Sequence, residues 1–380
     1  MFEPVDENRY QAQIGVMGLG GAGGNAVDHM IERGMPGMRF FALNTDVQAL
    51  ERSKAEHKIQ LGPNLTRGLG SGGNPDVGRQ ATEESLEHIK EILLDLDMLF
   101  IAAGEGGGTG TGAAPLVAEL AHSLSILTVA VVTRPFEFEG PIRKRQAEEG
   151  ISFLKRYVDT LIVIPNQKLL SVIPQNVSLR DSFKMADDVL FNATRGVTDL
   201  ITRTGMINLD FADVRSIMSY RGSAVIGIGS SRGENRAVDA AQKAISSPLI
   251  EDFEISGAKG ILLNISGGED VSLHEVNEAA RIIYGYANQD SNIIFGAIQD
   301  PEFADELRVT VIATGIEEMP PRVEKVEELL HPSAETLNKV PAYMRRGNEK
   351  RISRTFEKVE PKPLSDEDLD IPAFLRRQVD

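Results

Sequence analysis

The 380 residues, 41% hydrophobic and 25% charged, suit a soluble globular chain long enough for two domains with cores of their own. A net charge of −16, from 40 basic and 56 acidic residues, argues against nucleic acid as a partner, since a phosphate-backbone binder needs the opposite sign. With no cysteine there are no disulfides, thiolate nucleophiles or thiolate-bound zinc. The six histidines lack metal-ligating spacing, the apolar runs are strand-sized, and the N-terminus is acidic where a secretory leader is basic. A cytoplasmic protein without direct membrane insertion is expected.

In chain order, Gln13 to Leu19 reads as a strand running into a glycine turn, Gly20 to Asn25, with a helix over Ala26 to Arg33 closed by Gly34. Gly18-x-Gly20-x-x-Gly23 satisfies the dinucleotide fingerprint, and the next strand, Arg39 to Leu43, ends at Asn44-Thr45-Asp46, near where a ribose-binding acid would stand. Taken alone this points to an NAD-dependent oxidoreductase. The pattern is weak, because any βα turn that approaches phosphate closely selects the same glycines. Gly68 to Pro75 is another glycine-rich loop, followed by a helix expected over Asp76 to Leu94.

The densest glycine loop comes next. Asp97 to Ile101 is a buried-strand run, Gly106 to Gly112 holds five glycines in seven residues, and Leu116 to Ala121 has helical spacing after Pro115, which suits a first turn. Without side chains, the loop's N–H groups can approach a ligand, and the helix start adds partial positive charge: a phosphate cradle. Thr109 and Thr111 add hydroxyls for phosphate oxygens or for water on Mg2+. No G-x-x-x-x-G-K-[ST] sequence occurs, so this is not an ordinary P-loop. A strand over Ile126 to Val132, a helix over Glu139 to Val158 and a strand over Thr160 to Asn166 complete a β-α-β alternation. That alternation predicts a doubly wound, Rossmann-like parallel sheet with the glycine loops at its carboxyl ends.

Ser178 to Thr204 carries apolar or small residues at helical spacing, with Ser178 as N-cap and Gly205 as C′ stop, a helix long enough to join two domains. Alternating strands and helices to Ile316 then suggest a smaller α+β domain. Between them, Asn208-Leu209-Asp210-Phe211-Ala212-Asp213 admits two readings. Asp210 and Asp213 cap the next helix, or they are paired carboxylates that orient an attacking water. In the second reading they lie at the far end of a helix that starts near the nucleotide. They would therefore serve a neighbouring subunit stacked head to tail, a contact that builds filaments. From Glu317 the chain is proline-rich with mixed charges, as a disordered linker would be. Its end packs Ile371, Pro372, Ala373, Phe374 and Leu375 between acidic and basic flanks, like a peptide that folds onto a partner.

Gly106-Gly107-Gly108-Thr109-Gly110-Thr111-Gly112 is similar to the tubulin signature loop. Together with Gly21 to Asn25, Asn208 to Asp213 and the tail Asp370 to Leu375, the chain resembles, over essentially its whole length, the FtsZ family of bacterial tubulin-like cell-division GTPases. The resemblance implies a tubulin-like fold with a GTP-binding domain over 13–177 after an extension over 1–12. A central helix over 178–205, an α+β domain over 206–316, a linker over 317–364 and a tail peptide over 365–380 follow. It implies GTP/GDP and Mg2+, with the phosphates on Gly21, Ala22, Gly23, Gly24, Asn25, Gly107, Gly108, Thr109 and Gly110. Asn44 and Asp46 would lie on the Mg2+ and γ-phosphate side, and Glu139 and Arg143 at the sugar and phosphate edge. Asn166 and Asp187 would read guanine, with Phe183 stacked on its face.

No protein residue is expected to bind the metal directly, which is left to GTP and water. Asn208, Asp210 and Asp213 would form the catalytic loop. The resemblance also implies a homopolymer at the mid-cell division site, with membrane-tethering and regulatory division proteins (FtsA-like, ZipA-like) on the tail Leu369 to Arg377. A GTP-binding filament scaffold without catalysis is the alternative closest to this.

Overall fold

The computed structural model describes residues 12–170, 177–203, 205–250 and 255–316; the expected linker and tail, and nearly all of the N-terminal extension, lie outside these. Strand β1 (Ile14–Leu19) is buried at all six residues, as an apolar run covered on both faces should be. It leads to α1 (Gly20–Arg33), β2 (Met38–Asn44), α2 (Val47–Arg52), β3 (His57–Gln60), α3 (Pro63–Thr66), α4 (Pro75–Glu84) and α5 (Leu86–Leu93). There follow β4 (Met98–Gly104), α6 (Thr109–Ser123), β5 (Leu127–Arg134), α7 (Pro141–Leu154), β6 (Thr160–Pro165), α8 (Asn166–Leu169) and α9 (Leu179–Thr202). The last part holds α10 (Phe211–Met218), β7 (Ser223–Arg232), α11 (Arg236–Ile245), β8 (Gly260–Gly267), α12 (Leu273–Tyr286), β9 (Asn292–Gln299) and β10 (Glu306–Ile316).

The ten strands among the described residues form one sheet, ordered β3-β2-β1-β4-β5-β6-β7-β10-β8-β9. From β3 to β7 every pairing is parallel, while β10 runs antiparallel between β7 and β8. The two expected domains share this sheet through a short seam, Leu161 opposite Ser223 and Ile162 opposite Ala224. On one face Val27 and Met30 of α1, Leu190, Val197 and Leu200 of α9 and Val214 of α10 cover Val16, Phe100 and Val129. The same cluster continues onto Ile226, Leu262 and Ile312, so α9 packs against both halves of the sheet. The opposite face is covered by α5, α6 and α7 in the first half and by α11 and α12 in the second.

Four local expectations change. The glycine turn Gly20 to Asn25 is already helical: Gly20, at φ +70, turns the chain out of β1, and α1 starts there. Pro115 is not in a first turn, because α6 starts at Thr109 and carries the proline inside it. The helix expected over Asp76 to Leu94 breaks at Ser85, whose hydroxyl accepts from Gly62 N at 3.2 Å. The long helix does begin on its Ser178 cap, but it stops at Thr202 rather than at Gly205. Arg203 is extended there and pairs with Asp199 and Asp300.

Candidate nucleotide site

A cleft of about 890 Å3 opens where β1, β2, β4, β5 and β6 end, and Leu19, Asn44, Gly104, Thr133 and Asn166 all line it. Two helices begin at its floor. Neither α1, whose N-cap is Leu19, nor α6, whose N-cap is Gly108, has a side-chain cap or an acid in its first turn. Their leading N–H groups and positive dipole ends are left for an anionic ligand.

The glycines divide into two kinds. A Cβ on Gly21, Gly24 or Gly107 would meet nothing within 4 Å, so these open the cleft wall. A Cβ on Gly108 would stand 2.2 Å from Ser71 Oγ and 2.8 Å from Asn74 N, and one on Gly20 would stand 2.9 Å from Gly110 N, so these let the three loops interlock. Gly23 departs from expectation. It does not line the cleft, and its Cβ would strike Ala102 O at 2.2 Å, so it seats α1 on β4 instead of facing a phosphate. Ala22, Asn25 and Gly110 do line the cleft.

Where the loops meet, Thr109 Oγ1 shares hydrogen bonds with Thr45 Oγ1 at 2.7 Å and Ser71 Oγ at 3.1 Å, and all three residues line the cleft. Thr111 does not join them, because its hydroxyl turns inward to accept from Gly106 N at 2.9 Å. Asp46 caps α2 through one oxygen, accepting from Gln48 N at 2.9 Å, while Asn44 Oδ1 accepts from Asp46 N at 3.2 Å. Glu139 and Arg143 pair at 2.6 Å on the rim.

The other end suits a flat, polar base. Asn166 is buried and its Oδ1 has no hydrogen-bond partner. Phe183 leaves 41% of its surface exposed, braced edge-on by Phe136 at 5.5 Å. Burial pushes the Asp187 carboxyl up to about 7, with His29 opposing and Asp188 adding to the rise. Acidic side chains outnumber guanidiniums in the lining, with Asp28, Asp46, Glu139 and Asp187 against Arg52 and Arg143, besides the buried Glu105. A triphosphate would therefore need main-chain amides and a cation to offset the acids. No group of three His, Cys, Asp or Glu able to hold a metal occurs among the described residues.

Asn208, Asp210 and Asp213 are elsewhere. The first turns of α9 bring Phe183 and Asp187 to the cleft, but the helix runs on to Thr202, about 22 Å beyond Asp187 at 1.5 Å per residue. The main chain then pairs Met206 N and Ile207 N with Ala297 O. Helix α10 sits under the strand beginnings: Thr160 Oγ1, at the start of β6, donates to Met218 O at 2.5 Å, and Arg215 reaches Asp97 O just before β4 at 3.5 Å. The two aspartates thus occupy the edge of the sheet opposite the cleft. They also cap α10 reciprocally: Asp210 accepts from Asp213 N at 2.8 Å, and Asp213 accepts from Asp210 N at 3.4 Å. Asn208 Oδ1 accepts from Gly205 N at 2.5 Å, holding the loop. The capping reading is therefore correct, and it leaves Asp210 exposed.

The Tubulin/FtsZ family GTPase domain matches residues 13–174 and the FtsZ family C-terminal domain residues 222–317. A cell division protein FtsZ from Coxiella burnetii is 49% identical over 386 residues, 99% of each chain. The chain belongs to the FtsZ family. It is a tubulin-like GTPase, and the oxidoreductase suggested by Gly18-x-Gly20-x-x-Gly23 is not favoured. Among solved structures, an empty FtsZ dimer from M. jannaschii matches with a TM-score of 0.78 at 47% identity, over 81% of this chain and 90% of that one. CetZ1 from Haloferax volcanii, solved as a GDP-bound monomer, shares the fold alone: TM-score 0.70, 21% identity, 81% and 96% covered.

Thr45, Ser71 and Glu105 are among the lining residues of this FtsZ-family cleft that the sequence alone does not assign to it. Thr45 and Ser71 lay within stretches already singled out, yet only the fold shows their hydroxyls meeting Thr109. Glu105 directly precedes the glycine loop, and an acid beside a phosphate cradle is the one local signal that points to it.

Proposed function

We propose that GTP lies in this cleft with its phosphates on the starts of α1 and α6 and its base between Phe183, Asn166 and Asp187, and that it is hydrolysed across a head-to-tail contact between two copies of the chain. What carries the reading is the separation of parts: the cleft and the acidic pair, of which Asp210 is exposed and Asp213 half-buried, lie at opposite edges of one sheet. The incoming copy would bring Asp210 and Asp213 to the γ-phosphate, where a carboxylate orients water. The new P–O bond forms as the bond to the β-phosphate oxygen breaks, releasing GDP and phosphate. Mg2+ on the phosphate oxygens would neutralise charge that the acidic cleft cannot. Loss of the γ-phosphate would loosen the loops at the junction and weaken the contact.

Apolar side chains on the cleft rim support a second copy as the occupant: Leu69 is 86% exposed, and Phe138 and Ile142 each 64%. Leu69→Glu is expected to retain GDP binding while losing both GTP-dependent sedimentation and phosphate release. Normal polymer from this variant would count against the contact. The filament would form at the division site, with the tail Leu369–Arg377 recruiting membrane-tethering and regulatory proteins. No helix among the described residues is long and apolar enough to cross a membrane.

Guanine recognition gives a pH test. A carboxylate at Asp187 accepts from guanine N1–H and N2–H, and a protonated one cannot accept both. Because Asp187 in the free chain titrates at about 7, binding must expel its proton below that pH. GTP affinity is expected to fall by up to about tenfold per pH unit below about 7, and Asp187→Asn to remove this fall. Binding curves over the acid range check it; parallel curves for the two proteins would refute the assignment.

A further inference from the structure

The cleft wall holds a fully buried carboxyl that the reaction does not use. Glu105 stands between Gly104 and Gly106 in the phosphate loop, is 4% exposed, and has no hydrogen-bond partner at either oxygen. Its main-chain N–H donates to Thr133 O at 2.9 Å, tying the loop to β5. Its carboxyl packs into the joint between α6 and α7, where a Cβ on Gly150 would lie 2.5 Å from both Oε2 and Thr111 Cγ2. Gly106, at φ +92, is backed by the Arg143 main chain, with its Cβ position 2.6 Å from Arg143 O. The loop that would carry phosphate is thus seated on α7 through Glu105 and Gly106.

Among the described residues on the surrounding elements, no basic side chain is placed to offset a charge on this carboxyl. On α7, Arg143, Lys144, Arg145, Glu148 and Glu149 are exposed, and Arg143 is paired with Glu139. At the end of β5, Arg134 is paired with Glu148 at 3.1 Å, and on α6 Glu119 and His122 are exposed. What remains is the Thr111 side chain, whose hydroxyl accepts from Gly106 N and keeps its own proton to offer the carboxyl, and the Gly150 main chain. Burial pushes Glu105 up to about 8 against the smaller opposing pull of the Thr111 hydroxyl, so the neutral form predominates at pH 7.

We propose that Glu105 is a positioning residue whose uncharged carboxyl seats the phosphate loop on α7, and that its ionisation sets an alkaline limit to nucleotide binding. The inference rests on the nucleotide reading above. An ionised Glu105 would either leave its pocket, taking the loop with it, or stay and place a negative charge behind the amides that must receive phosphate. Either way the anionic nucleotide binds the protonated form better. By linkage, binding near the midpoint then draws a proton from solution.

The test is GDP binding to the full-length chain by calorimetry from pH about 7 to about 9, in two buffers of different ionisation heat, for the parent, Glu105→Gln and Glu105→Met. The parent's affinity, which rises through pH about 7 as Asp187 ionises, is expected to turn over and fall by up to about tenfold per pH unit above about 8, with proton uptake on binding in that alkaline range. Both variants, whatever their affinity at pH 7, should lack that alkaline fall and that uptake. If the buried amide keeps the Gln variant from folding, the Met variant, which needs no hydrogen bond, decides. Equal pH profiles for parent and Met variant, or no proton uptake by the parent, would overturn the proposal. A parent chain that fails to bind GDP at pH 7 would instead overturn the nucleotide reading itself.

Discussion

Asp210→Asn is expected to bind GTP as tightly as the parent chain while releasing phosphate about 10²–10⁴-fold more slowly, the range for losing a positioned acid–base group. The choice of asparagine matters. Asp210 caps α10 by accepting from Asp213 N, and removing an N-cap costs about 1 kcal/mol of stability. Asparagine keeps that acceptor and loses the charge, so a fall in turnover without a fall in melting temperature isolates the chemistry. Because the cleft and Asp210 lie at opposite edges of the sheet, the defect should also be repaired from outside. Chains with Asp210→Asn, mixed with chains that keep Asp210 but cannot bind nucleotide, should recover phosphate release that neither shows alone. A mixture no more active than its components would mean that each chain completes its own site.

Gly108→Ala is expected to remove nucleotide binding through packing, not charge. The added methyl would stand 2.2 Å from Ser71 Oγ, 2.8 Å from Asn74 N and 2.9 Å from Asn74 O, and Gly78 already approaches Gly108 O so closely that its own Cβ would lie at 2.3 Å. Ser71 can rotate away, but the main chain of Asn74 cannot, so the loop over 70–74 must lift from α6. That separates Ser71 from Thr109 and spreads the wall between Gly72 and Gly107. Overpacking of this kind costs about 1–3 kcal/mol. Gly112→Ala is the control: its Cβ would strike Pro75 O at 2.2 Å and Arg79 N at 2.5 Å, but the residue does not line the cleft. Both variants should melt earlier, and only Gly108→Ala should lose affinity beyond what its lowered stability explains.

The legible part of the fold was the part written in local pattern. Unbroken apolar runs such as Met98–Gly104 named the parallel strands, and the glycine loops named the edge where a ligand meets them. Ser178 announced the start of α9 because an N-cap is a property of a single residue and its next turn. The end of α9 was not legible: Arg203 leaves the helix to reach Asp300, a partner 97 residues away in the chain. The break at Ser85 likewise depends on Gly62, which sequence spacing does not connect to it.

Within the site, composition could show that glycines crowd a βα turn but not which ones face the ligand. Gly21 and Gly23 look alike in sequence, yet one opens on the cleft and the other presses on Ala102 O. The acidic pair shows the reverse limit. Sequence left capping and catalysis as alternatives, whereas the geometry lets one side chain do both, with the cap fixing where the exposed carboxylate points.

The central claim is that one chain holds the cleft and the next supplies the acids. Phosphate release per subunit, measured across a dilution series with polymer sedimented in parallel, tests it most directly. The account expects turnover per subunit to vanish where polymer vanishes and to rise with it. Turnover per subunit that stays constant down to dilutions without polymer would contradict it.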